Sequence, residues 1–177
     1  MTFIFFIIFE FFLGFSKVEP PNYNFSLDSL SAYYPGKTLE EIKKIHPEIE
    51  MVINKDSIII YKFYHSHVRY KFPVLVQVQE GKVIDTFAKL PSYFLHDVFH
   101  QSLINRLGKQ ETYRLVDEHA IYIWPNKDNL RYVYMGACSI TCFPIFLNIS
   151  LPKEQWSESF QPLVDQMEKL LTVTNLN

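Results

Sequence analysis

The stretch KFPVLVQVQEGKVIDTFAKL, residues 71 to 90, joins two runs of β-branched and aromatic residues through Glu80-Gly81. Runs of that composition are strand signals, and the Glu-Gly pair between them is a turn signal. Val74, Val76 and Val78 alternate with Leu75, Gln77 and Gln79, the pattern of a sheet dry on one face and partly wet on the other. Links this short leave no room for a helical crossover, so the strands must run antiparallel.

Working outward, IEMVI at 49–53 and DSIIIYKFYHSHVRY at 56–70 carry the same strand composition. Ahead of them Thr38 can cap a helix over Leu39 to Ile45. Glu41 stands in the capping-box position, and Leu39, Ile42 and Ile45 form one apolar face. Pro47 ends that helix, because it has no N–H to donate and restricts the residue before it. The order then restarts. A second helix is predicted from about Tyr93 to Leu107, stopped by Gly108, followed by TYRLV, HAIYIWP, LRYVYMG and FPIFLNI with Asn126-Lys127-Asp128-Asn129 as a turn. The sequence therefore predicts an α+β fold of two tandem halves, 37–90 and 91–150, each a helix on an antiparallel sheet. Residues 151–173 space Trp156, Phe160, Leu163, Met167 and Leu170 at helical intervals, which predicts a C-terminal helix bent by Pro162 and packed on the body.

The ends read differently. Residues 1–16, MTFIFFIIFEFFLGFS, are almost wholly apolar and close on small residues before Lys17, the pattern of a cleaved export signal. As a helix, that segment would reach about 22 Å against a hydrocarbon core of about 30 Å, so it reads as a spanning anchor less readily than as a signal. Either way it implies membrane proximity for the N-terminus and a secreted or periplasmic location. Residues 17–36, rich in Pro, Asn and Ser, read as a leader into a single domain over 37–177.

Composition narrows the function. A chain that is 48% hydrophobic and 16% aromatic has enough apolar surface to fold. Its 17 Lys and Arg against 19 Asp and Glu leave no basic run for nucleic acid. The five glycines form no phosphate cradle, and no G-x-S-x-G elbow is present. Cys138 and Cys142 are the only cysteines. They could bridge a hairpin turn as a disulfide, or remain two free thiols.

Two constellations are candidates for a site. Lys62, Tyr64, Arg69 and Tyr70 would make a basic, aromatic-edged surface on a strand, with Trp124 as a further aromatic anchor. Such a surface suits an acidic protein partner. Separately, His96 and His100 lie four apart around Asp97, and His65 and His67 share one side of a strand. Together the four imidazoles could hold zinc, with Asp97 as ligand or base, in a metal-dependent hydrolase. The favoured expectation is a noncatalytic protein-binding domain, with the hydrolase as its rival.

The segment YYPGKTLEEIKKIHPEI, with Gly36, Thr38 and His46-Pro47, resembles the opening of the SmpA-type outer-membrane assembly lipoproteins and of their relatives, the β-lactamase-inhibitor-protein-like domains. A looser echo is SLINRLGKQETYRL, with Leu107-Gly108. The resemblance covers residues 34 to 149 as a tandem pair and implies an exported, noncatalytic module that binds proteins at a cell envelope. This chain has no cysteine near residue 16 to carry a lipid.

Overall fold

The structure is a computed structural model that describes residues 27–55, 58–67, 70–91, 95–116, 118–138 and 142–166, with the backbone alone at Cys138, Cys142 and Phe143. The expected export signal and Arg69 lie outside the described residues.

The first helix forms where its caps place it. Helix α1 spans Leu39–Ile45. Thr38 accepts from the Glu41 N–H while the Glu41 carboxylate accepts from the Thr38 N–H at 2.8 Å, a complete capping box. Strands β1 (Glu50–Lys55), β2 (Ile58–His67), β3 (Tyr70–Gln79) and β4 (Lys82–Leu90) follow as an antiparallel meander. Glu80 and Gly81 both have positive φ, as a two-residue turn matched to the twist of a hairpin requires. Helix α2 spans His96–Leu107 and ends at Gly108, whose φ of 80° closes it. Strands β5 (Thr112–Val116), β6 (His119–Lys127), β7 (Leu130–Cys138) and β8 (Cys142–Ser150) repeat the meander. Asp128 and Asn129, both at positive φ, turn β6 into β7.

The two halves make one sheet. Its order is β1-β2-β3-β4-β8-β7-β6-β5, closed in the middle by the antiparallel pairing of β4 with β8 from Asp85↔Ser150 to Leu90↔Ile145. One face carries both helices over a single apolar cluster that runs through both halves and includes Phe63, Val76, Leu90, Trp124 and Leu147. The other face carries a second cluster, Ile60, Leu75, Phe87, Met135 and Phe146, beneath Leu163.

Four expectations change. The packed unit begins before Lys37: Leu27–Tyr33 is a 3-10 helix whose Leu27, Leu30 and Tyr33 are buried in the main cluster. Polar neighbours such as Asp28 and Ser29 mask that apolar face in the sequence. Arg106 on α2 pairs with Asp28, tying this segment to the second half. The run DSIIIYKFYHSHVRY is not one strand, since His67 pairs with Tyr70 across a hairpin. Gln77 is buried instead of wet, because residues 151–166 cover its face. Those residues form no C-terminal helix. Among the described residues they hold only 3-10 turns at Lys153–Gln155 and Leu163–Gln166. With Pro152 and Pro162 interrupting the backbone, Trp156 sits in extended chain and Leu163 reaches the sheet from the start of the second 3-10 turn.

Because Leu30 is completely buried in the main cluster, Leu30→Ala is expected to destabilise the protein by about 2–5 kcal/mol in urea unfolding. A dispensable leader would lose almost nothing.

Candidate functional site

Strand lengths create the first site. β1 starts at Glu50, opposite Lys62, while β2 continues to His67, so Phe63–His67 has β3 on one side and no strand on the other among the described residues. A strand edge left bare presents alternate backbone N–H and C=O groups as a template for another chain. The loop after α1 closes one side of a cleft of about 420 Å³ beside this edge, contributing Ile45, His46, Pro47 and Glu48. Glu50 of β1, Lys62, Phe63, Tyr64 and Ser66 of β2 and Lys71 of β3 line the rest. The Tyr64 ring is half exposed, and the Lys62 ammonium lies 5.5 Å from its centroid. That is cation–π geometry, and it holds the ring in place beside the open edge. Tyr70 is exposed at the same end of the β2–β3 hairpin. Lys62 and Tyr64 thus stand together, whereas Tyr70, paired with His67, belongs to the other face of the hairpin and does not join them. Trp124 does not join them, being completely buried with its indole N–H donating to the Gly108 carbonyl at 2.7 Å. It is a core residue that seals the end of α2.

The histidines separate into two clusters, one under each helix. In the first half the Tyr33 hydroxyl lies 2.5 Å from His46 Nε2 and 3.0 Å from His65 Nδ1. A hydroxyl has one proton, so it donates to one imidazole and accepts from the other. Burial pushes the Tyr33 hydroxyl up to about 12 and holds His65 down at about 4, with the neighbouring His46 and His67 adding to the latter. In the second half His96 Nδ1 is 2.9 Å from the Tyr134 hydroxyl, and His100 stacks 3.9 Å from the Tyr122 ring centroid. Burial lowers both of these imidazoles, and the His96 charge lowers His100 further. His65 and His67 do not meet His96 and His100, and no group of three or more His, Cys, Asp or Glu side chains among the described residues is placed to hold a metal ion. The four-histidine zinc site is therefore corrected: each half uses its imidazoles to wedge a helix onto its own strands.

A third constellation lies on the opposite face. The register sets Gln77, Asp85, Ser150 and Arg131 side by side across β3, β4, β8 and β7, and all four are buried with Asn148 beside them. Asp85 accepts from the Asn148 amide and, at 2.6 Å, from the Leu163 backbone N–H. Burial still outweighs these bonds and the nearby Arg131 charge, pushing the Asp85 carboxyl up to about 8. Gln77 Oε1, Asn148 Oδ1 and Arg131 Nη1 find no partner among the described residues. A buried polar atom without a partner costs about 1–3 kcal/mol. Sequence reasoning misses this row. The signal was present, as Asp85 and Asn148 interrupt the otherwise apolar runs KVIDTFAKL and FPIFLNI.

Cys138 and Cys142 are register partners at the β7–β8 turn. Their side chains, and so the choice between a disulfide and two free thiols, lie outside the described residues. No helix among the described residues is long and apolar enough to cross a membrane. Comparison with protein-family models, with curated proteins and with solved structures returns no match.

His65 makes the first cluster sensitive to acid. The unfolded chain takes up its proton near 6.5, the folded one only near 4. The contribution is therefore complete above about 6.5 and is lost as pH falls from there towards 4. In denaturant titrations, the wild type is expected to lose more stability than His65→Phe between those two pH values. Parallel losses would show that the imidazole is not buried in its neutral form.

Proposed function

We propose that this protein is an exported, noncatalytic domain that binds another protein by taking an extended segment of it alongside β2. The observation that carries the reading is the stretch Phe63–Ser66, which no strand pairs on its outer side among the described residues and which opens onto a cleft lined by Tyr64, Lys62 and Lys71. Strand addition draws affinity from main-chain hydrogen bonds and specificity from the side chains beside the edge. The occupant that fits is an acidic, β-prone segment. Lys71 is exposed on the side-chain face that a partner's carboxylates would meet, and the half-exposed Tyr64 ring, backed by the buried Lys62, offers an apolar anchor. The apolar residues 1–16 support export, and the resemblance of residues 33–49 to envelope lipoproteins supports work beside a membrane.

The metal-dependent hydrolase gains no support from the arrangement of the histidines, whose pairs serve separate helix–sheet interfaces.

Selection of displayed random peptides on the immobilised protein tests the reading. The expected result is enrichment of acidic, extended sequences whose affinity falls with salt and drops about tenfold or more in the Tyr64→Ala, Tyr70→Ala double variant. Peptides that bind the double variant and the wild type equally would remove this edge as the docking site.

A further inference from the structure

One imidazole stands on the wall of the cleft beside β2. His46 caps the C-terminus of α1 and lines the cleft with Pro47 and Glu48 of the loop that follows. Its ring stacks on Phe63, where the bare stretch of β2 begins, with the ring centroids 4.4 Å apart. On its other side Nε2 lies 2.5 Å from the Tyr33 hydroxyl. With Nε2 committed to Tyr33, Nδ1 is the nitrogen left for an occupant of the cleft.

The bonds behind His46 admit one added proton. The Tyr33 hydroxyl sits between His46 Nε2 and His65 Nδ1 and has a single hydrogen. When His46 carries two N–H groups, Nε2–H donates to Tyr33 and Tyr33 donates to His65, so every bond is kept. A second proton on His65 would leave the Tyr33 hydrogen with neither acceptor. Surroundings decide which imidazole takes the one proton. His65 is held down at about 4 by burial and by the neighbouring His46 and His67, with the Tyr33 and Phe72 rings packed edge-on against it. His46 is lowered by burial too, yet it borders the open cleft. In the empty cleft it is therefore uncharged at neutral pH, and it is the end of the triad that an occupant can charge.

Charges around the cleft are divided between its sides. Glu48 shares the loop with His46, and Glu50 follows at the start of β1, whereas Lys62 and Lys71 come from β2 and β3. Lys43 and Lys44 precede His46 on α1 but do not line the cleft. An acidic segment thus meets two carboxylates on the loop side, against which a neutral imidazole offers nothing. Protonated, His46 adds a positive charge and an N–H donor there. Of the side-chain types lining the cleft, imidazole alone changes charge near neutral pH.

We infer, on the basis of the docking reading above, that His46 is a carboxylate-binding residue of this cleft, and that an acidic segment seats beside Phe63 with uptake of one proton at His46. A bound carboxylate favours the charged imidazole and so raises its pKa. Binding is then weaker where His46 is neutral in both states, and it strengthens as pH falls through the bound value. The segment's own glutamates keep their charge until the pH nears about 4.3, so the gain has a window above that limit.

The full-length protein tests this with a fluorescent peptide rich in glutamate and threonine, at fixed ionic strength. Wild type is expected to bind about threefold or more tightly at pH ~5.5 than at pH ~7.5, and calorimetry in buffers of different ionisation enthalpy is expected to show proton uptake. His46→Gln is expected to bind at both pH values with neither the gain nor the uptake. Equal wild-type binding at the two pH values would overturn the inference and leave the docking reading standing, and so would a gain that survives His46→Gln. Absence of binding at both would overturn the docking reading and the role of His46 with it. Should His46→Gln not fold, histidine NMR of the wild type decides. The His46 imidazole is expected to titrate at higher pH with the peptide bound, and an unmoved titration in the bound protein would remove His46 as the carboxylate's partner.

Discussion

The antiparallel ladder between β4 and β8 is the contact on which the molecule depends. It aligns Thr86 with Ile149, Ala88 with Leu147 and Leu90 with Ile145, so the apolar residues of both halves emerge on one face. Side chains alternate along a strand, and a slip of one residue would send each set to the wrong side. The shared register lets one cluster run beneath both helices, with Trp124 and Leu90 belonging to the same core. It also forces Asp85 and Ser150 together on the other face.

The histidines follow from the same constraint. Each helix must sit against strands already committed to their register, and each half fills the gap with aromatic rings that carry a polar atom. Tyr33 satisfies two imidazoles in the first half, while Tyr134 and Tyr122 surround His96 and His100 in the second. Buried neutral imidazoles bonded to hydroxyls lock a helix onto a sheet without needing a charge partner. Spacing four apart on a helix, suggestive of metal in the sequence, here serves packing.

The cleft beside β2 is a consequence of unequal coverage. At one end of the sheet β1 is shorter than β2, and the bare stretch of β2 opens onto a cleft. On the face away from the helices, a chain segment with few hydrogen bonds lies over a polar row that it does not fully satisfy. The remaining edge strand, β5, is exposed at Tyr113, Leu115 and Val116. Equal edge strands would leave no such cleft.

Local chemistry set much of this architecture. Thr38 with Glu41, Gly108, Glu80-Gly81 and the alternation through Val74, Val76 and Val78 are instructions that act within a few residues, and α1, α2 and the hairpins form where those residues direct. Tertiary structure alone decided the rest. Trp124 shares the aromatic character of a binding anchor yet is buried; Leu27–Tyr33 resembles a leader yet belongs to the core; the helical spacing of Trp156 and Leu163 belongs to short 3-10 turns and irregular chain on a sheet. Periodicity tells which residues must leave water, but not which distant surface will receive them, because that depends on a register set between strands about sixty residues apart. The Asp85 row is the clearest instance: its members come from four strands, and only their pairing makes them neighbours.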